Sequence, residues 1–228
     1  MKIKKYTLNL LLFVFGCSQA QGTINKNLKK ELDEIYKSDQ ILREYIDSGT
    51  SESRKNEILK ETGFSQNDFL NNTWGIIRKQ DSINIIKVEK IIASYGYPGQ
   101  ELVGEPTNEA AWYIIQHSNK IAFYFPLIKE AAERKEIPFT LFAMMQDRLL
   151  TSQGKEQIYG TQGGGVTIKN KETGKEEPFR FISPINDPMH VNDRRKKAGF
   201  STTVEENSKR MGIVYKAYTL EDIKSITK

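Results

Sequence analysis

The stretch Ala143-Met144-Met145-Gln146-Asp147-Arg148, followed by Gln157-Ile158-Tyr159-Gly160-Thr161-Gln162, marks where this chain changes character. An apolar run with helical spacing ends in an adjacent acid and base. A short loop and a segment dense in polar side chains follow. Upstream of this point the apolar residues recur at helical spacing; downstream they alternate with period two. The division predicts an α+β fold, mainly α, with a helical layer packed against a small antiparallel β-sheet or hairpin.

Working back from that stretch, Pro138 opens a helix through about Leu150, and Pro126 opens another through Arg134. The run Ala110-Ala111-Trp112-Tyr113-Ile114-Ile115 is apolar on all sides, as in a buried helix, and ends in Gln116-His117. Tyr95-Gly96-Tyr97-Pro98-Gly99 is a turn. A helix capped by Ser65 runs to about Ser94, with Gly75 and Asp81-Ser82 as candidate bends. A weaker helix covers Glu52 to Thr62. Leu28, Leu32, Ile35, Leu42, Tyr45 and Ile46 define an amphipathic first helix.

Downstream, Glu156 to Thr161 reads as a strand, which would place Gln157, Tyr159 and Thr161 on one face. Val166-Thr167-Ile168 and Phe179-Arg180-Phe181 read as a hairpin reversing at Thr173-Gly174. Gly163-Gly164-Gly165 reads as a flexible link, since the lysine and helix start of a phosphate-binding loop are missing. A last helix covers about Val204 to Met211.

The N-terminus carries an export pattern. Lys2, Lys4 and Lys5 precede an apolar run, Leu8 to Phe15, and small residues close it. The run is far shorter than the roughly 20 residues of a membrane span. Val14-Phe15-Gly16-Cys17 resembles a lipobox, with Cys17, the only cysteine, as the lipidation site. Ser18-Gln19-Ala20 offers an ordinary signal-peptidase site, which would make the protein secreted instead. The expected organisation is a signal peptide over 1–17, a tether over 18–27, a helical region over 28–80 and an α+β domain over 81–228. The expected location is extracytoplasmic, on the membrane through a lipid anchor. Losing three lysines with the signal leaves 31 basic against 29 acidic residues. So small a net charge gives no case for a nucleic-acid partner.

The chemistry-bearing candidates are few. His117, closing a buried helix, could exchange a proton near neutral pH. Asp147 could orient it and Arg148 grip an anionic group, because both stand beside the apolar stripe of their helix. An alternative is a salt-bridge network that only fixes loop to helix. Gln116, Gln157, Tyr159, Thr161 and Gln162 would bind substrate, with Arg194 and Arg195 from the Arg194-Arg195-Lys196-Lys197 run. Asp187, His190 and Asp193 have metal-ligand spacing. With two histidines and no cysteine cluster the reading assigns no metal and no cofactor.

An ordered set of short motifs resembles the bacterial domain of unknown function family 6624. They are Gly96-Tyr97-Pro98 with Val103-Gly104, Gln116-His117, Asp147-Arg148, Gln157-x-Tyr159-Gly160-Thr161-Gln162, Asp187-Pro188, and Arg194-Arg195 before Gly199-Phe200. The chain departs from that pattern at Gln146, where the family tends to carry an acid, and in the hairpin Lys169 to Glu177. The first departure argues against a two-carboxylate mechanism. The resemblance implies that the polar positions form one site; it implies no activity. Two functions are therefore expected to compete. One is a hydrolase or transferase with a His/Asp/Arg pocket acting on an envelope substrate. The other is a non-catalytic module binding a peptide, glycan, small molecule or protein.

Overall fold

The computed structural model describes residues 23–170 and 173–226. The export signal, Cys17 and residues 18–22 of the tether lie outside them. The architecture is a helical layer followed by a two-stranded antiparallel sheet with short C-terminal helices, the mainly α form of α+β. Among the described residues no helix is long and apolar enough to cross a membrane.

Helix α1 spans Lys26–Ile46, with Asn25 as its N-cap. Its buried stripe is Leu28, Leu32, Ile35, Asp39 and Leu42, at alternating steps of four and three. Helix α2 (Glu52–Thr62) is capped by the Ser51 side chain and ends on Gly63 at φ 75°, the left-handed conformation that glycine adopts most easily. Helix α3 (Gln66–Tyr95) is capped by Ser65. Its bend is at Asn72, whose φ of −143° is not helical, and the Asn72 side chain lies where a Cβ on Gly75 would sit. Asp81-Ser82, the other expected bend, stays helical.

Helix α4 (Gln100–Val103) follows the turn at Gly96. A 3-10 turn at Thr107–Glu109 then feeds α5 (Ala110–Gln116). Helix α6 spans Ile121–Glu133, so it begins five residues before Pro126. Pro126 lies in the second turn and has no amide to donate to Ala122 O, so the helix runs through it one bond short; Tyr124 N bonds to Lys120 O to start the helix. Helix α7 spans Phe139–Ser152.

Two apolar clusters fill the helical layer. The larger joins α1, α3, α5, α6 and α7 around Leu32, Ile35, Val88, Trp112, Ile115, Ile128 and Met145. The smaller joins Leu42 and Tyr45 of α1 with Ile58 of α2 and Phe69 and Ile77 of α3. Ser38, Asp39, Gln80, Asp81 and Asn84 stand between the two in sequence on α1 and α3. Ser38 Oγ donates to Asn84 Oδ1, and Gln80 Nε2 donates to both Ser38 Oγ and Asn84 Oδ1.

The sheet pairs β1 (Gly163–Lys169) with β2 (Glu176–Ile182), with Val166 opposite Phe179 and Gly164 opposite Phe181. The triglycine is therefore strand, not a flexible link. A Cβ on Gly164 would fall 2.8 Å from the Phe181 ring, so the missing side chain is what admits the aromatic. Helices α8 (Val191–Lys197), α9 (Val204–Arg210) and α10 (Leu220–Ile226) complete the chain. Val191 and Val204 form a third apolar cluster with Ile182, Ile185 and Ile213.

Candidate functional site

Residues 156–161 do not form a strand. They make one isolated bridge, Gln157 to Ile185, and otherwise wrap around a single carboxylate. Asp147, fully buried on α7, accepts from the amides of Ile158 at 2.7 Å, Tyr159 at 3.0 Å and Thr161 at 3.0 Å. It also accepts from Thr161 Oγ1 at 2.9 Å. Successive amides converging on one anion form a concave cradle. Burial pushes the Asp147 carboxyl above its usual range, and the four donors pull against it.

The other members of the polar motif serve the same loop. Gln157 is fully buried; its Nε2 donates to the carbonyls of Gln162 and Ser183, and its Oε1 accepts from Gln162 N. Gln162 Nε2 donates to Thr161 Oγ1. Arg194 reaches the carbonyls of Ile158, Asn186 and Asp187. Arg195, 2 % exposed, donates to Tyr159 O and Thr202 O and lies 4.5 Å over the Phe200 ring. Burial lowers the acidity threshold of Arg195 and Asp147 opposes the shift. These residues, expected to grip substrate, instead hold residues 157–161 against α7 and α8. Their donors are directed to acceptors of the chain itself, mostly backbone carbonyls. Asp187 and His190 pair with each other at 2.8 Å on the surface.

His117 lies elsewhere. It is the C-cap of α5, and its Nδ1 faces both oxygens of Asp39 at 3.1 Å. The carboxylate that orients it is therefore Asp39 of α1, not Asp147. Asp39 is fully buried, while the His117 side chain keeps 17 % of its surface exposed. Arg43, one turn along α1, donates through Nη1 to Asp39 at 3.0 Å and through Nη2 to both oxygens of Asp81 at 2.8 and 3.0 Å. Gln40 Nε2 also donates to Asp39. Burial raises the Asp81 carboxyl, with Arg43 opposing it.

Asp39, Asp81 and His117 bring one ligand-capable atom each within 4.8 Å of one another. Nitrogen and two carboxylates would suit a divalent ion chemically. Arg43 already joins the two acids, so an ion at that point would compete with its guanidinium.

Adjacent helix positions differ by about 100° around the axis, and Asp147 and Arg148 use that angle to serve different neighbours. Asp147 faces the 157–161 loop. Burial lowers the proton affinity of Arg148, and the positive charge of Arg43 adds to the shift. Its guanidinium makes no hydrogen bond or ion pair among the described residues; only its carbonyl is engaged, by Thr151 Oγ1. Gln116, half-buried, likewise makes no side-chain hydrogen bond among them.

Sequence reasoning thus found His117 but missed Asp39, Arg43 and Asp81. The signal was present. The apolar stripe of α1 steps from Ile35 to Leu42 and passes through Asp39; that of α3 steps from Ile77 to Val88 through Asp81 and Asn84. A charge in a core register position needs a buried partner.

A cleft lined by Tyr97, Leu102, Leu127, Ala131 and Arg134 opens at the Gly96-Tyr97-Pro98 turn and does not include His117. Tyr97 there donates to Asn108 O at 2.9 Å, fixing the turn to the 3-10 segment before α5.

The profile of the family of unknown function DUF6624 covers residues 26–221. No curated protein and no solved structure matches the chain.

Proposed function

The chain belongs to the family of unknown function DUF6624, and from its geometry we propose that it is a hydrolase or transferase working by acid–base catalysis at His117. The observation that carries this reading is the Asp39–His117 pair. A fully buried carboxylate faces Nδ1 of a partly exposed imidazole, and Nε2 makes no hydrogen bond among the described residues. Asp39 favours the tautomer with the proton on Nδ1, which leaves Nε2 as the base. Nε2 would take a proton from water or a substrate hydroxyl as it attacks. The imidazolium, stabilised by Asp39, would return that proton to the leaving group. Arg43 holds Asp39 in place by donating to both its carbonyl and its carboxylate. The attacking group is taken as water or a substrate hydroxyl, since Ser118 Oγ beside His117 in sequence is spent on Ile115 O and Ser38 Oγ beside Asp39 on Ile35 O and Asn84 Oδ1.

The same reading places the protein outside the cytoplasm, on an envelope substrate. That rests on Lys2, Lys4, Lys5, the Leu8 to Phe15 run and Cys17.

The test is turnover on a panel of phosphate, carboxylate and glycosyl esters with the mature protein, His117→Gln and Asp39→Asn. Loss of about 10²–10⁴-fold in kcat for His117→Gln, with the fold retained, supports the reading. Turnover unchanged in both variants overturns it. Ligand binding without turnover on any ester assigns the Asp39–His117 centre to a binding module.

A further inference from the structure

We infer that the recess between α1 and the segment leading into α5 binds the primary ammonium group of an aminoalkyl chain, with the Glu109 carboxylate as counterion and Tyr36 and Tyr113 as walls. The inference is independent of the acid–base reading above, since His117 is not among the residues that line the recess.

The recess has a volume of about 90 Å³ and is lined by Asp33, Tyr36, Thr107, Glu109 and Tyr113, with Pro106 at its edge. Tyr36 of α1 and Tyr113 of α5 meet edge to face, their ring centroids 5.1 Å apart at 62°. Both rings are half-buried, and the exposed Asp33 and Pro106 keep the recess in contact with solvent. Glu109 is the decisive member. It occupies the N-cap of α5, yet its side chain makes no capping bond, and its half-buried carboxylate has no hydrogen bond or ion pair among the described residues. Asp33 differs: Thr107 Oγ1 donates to it at 2.6 Å and Lys29 pairs with it at 3.6 Å. A carboxylate taken partly out of water without a counterion is a poor structural choice. Placed on the wall of an open recess, it is a ready partner for a cation that can donate to it. Burial raises the Glu109 carboxyl, and the further charge of Glu105 adds to the imbalance. Tyrosine rings beside the acid add their own attraction for a cation.

Size and charge select the ligand. A water molecule's share of liquid volume is about 30 Å³, so the recess has room for about three groups of that size. An ammonium nitrogen with its first methylenes fits. A quaternary ammonium is larger and has no N–H to give to Glu109. Around the recess Asp33, Glu105 and Glu109 stand against Lys29, so an amine that carries a phosphate next to it is repelled where a neutral alkyl chain is not. The lysine side chain of a peptide has the required form: an ammonium tip for the acid and an apolar stem to lie along the tyrosines.

Ethylammonium chloride and Nα-acetyl-lysinamide are the probes, titrated into the mature protein while the ring resonances of Tyr36 and Tyr113 are followed by NMR. Tetramethylammonium chloride and O-phosphoethanolamine are the comparison arms, all at one ionic strength set with sodium chloride. Glu109→Gln keeps the shape and removes the charge; Tyr36→Leu removes one wall. Circular dichroism checks both folds, and Glu109→Gln decides alone if Tyr36→Leu does not fold. The expected result is a saturable shift with both probes, weakened at least about ten-fold in Glu109→Gln and also weakened in Tyr36→Leu. His117→Gln is expected to bind as the parent does. Absence of a saturable shift, equal affinity in Glu109→Gln, or tetramethylammonium binding as tightly as ethylammonium overturns the inference. O-phosphoethanolamine binding more tightly than Nα-acetyl-lysinamide overturns the lysine assignment in favour of a headgroup. No arm measures turnover, so failure here leaves the role of His117 untouched, and inactivity of His117→Gln says nothing of the recess.

Discussion

Nδ1 of His117 stands 3.1 Å from each carboxylate oxygen of Asp39, across 78 residues of chain. The pair couples the end of α5 to the middle of α1. Asp39→Ala removes the shared acceptor of His117, Arg43 and Gln40 and leaves charge unpaired at a buried point. Breaking a buried pair in this way costs about 3–5 kcal/mol. Urea unfolding checks it. Asp39→Asn keeps the volume and one acceptor and is expected to lose less stability, while moving the His117 ring resonances as far as Asp39→Ala does.

Asp147 governs a different region. Asp147→Ala strands the amides of Ile158, Tyr159 and Thr161, each at about 1–3 kcal/mol when buried and unsatisfied. The expected outcome is a loss of at least about 3 kcal/mol in chemical denaturation. Those three amides are also expected to exchange with solvent far faster. The His117 resonances should stay where they are, since its carboxylate is Asp39. Their movement would contradict the separation of the two polar centres.

Gly160 is fixed by both backbone and space. Its φ is +66°, and a Cβ would meet Val204 Cγ2 at 2.6 Å and Ile185 Cδ1 at 2.9 Å. Gly160→Ala therefore combines left-handed strain with overpacking of the C-terminal apolar cluster. The expected destabilisation is about 2–4 kcal/mol, read by thermal or urea unfolding. Methyl resonances of Val204 and Ile185 should shift, and those of Trp112 neighbours in the helical layer should not.

Glu109 gives the pH dependence. Burial raises its carboxyl above the usual 4.5, and Glu105 raises it further. The folded state therefore holds this proton more tightly than the unfolded chain does. The resulting stability is fully present below pH 4.5 and is lost as pH rises through the higher folded value. Glu109→Gln removes that loss. The variant is expected to be more stable than the parent at pH 7 and to show a flatter profile upward from pH 4.5. Parallel profiles of the two proteins in urea unfolding would contradict the assignment.

The helices were largely legible because their signals are local. Ser65 caps α3 as its sequence indicates, and the apolar periodicity set α1 and α7 to within two residues. The hairpin was legible through Val166 to Ile168 and Phe179 to Phe181. The 157–161 segment was not, because its alternation of polar and apolar residues mimics a strand. Its order comes from Asp147, a distant acid whose demand for donors outweighs strand pairing. The site was half legible for a related reason. His117 stood out as a polar residue at the end of an apolar run. Asp39 and Asp81 were concealed inside helices rich in surface charge, where only the register of the stripe separates a buried acid from a solvated one.

The polar layer between the two apolar clusters of α1 and α3 fixes how those helices align. Leucine and isoleucine stripes of this kind tolerate sliding by a turn, since one aliphatic contact replaces another. Here a slip would carry Arg43 away from Asp81 and set Asp39 against hydrocarbon, stranding two ions at once. Asp39, Arg43 and Asp81 thus act as a key that admits one alignment of the pair. The residues proposed for chemistry are also those that tell the two longest helices where to stop.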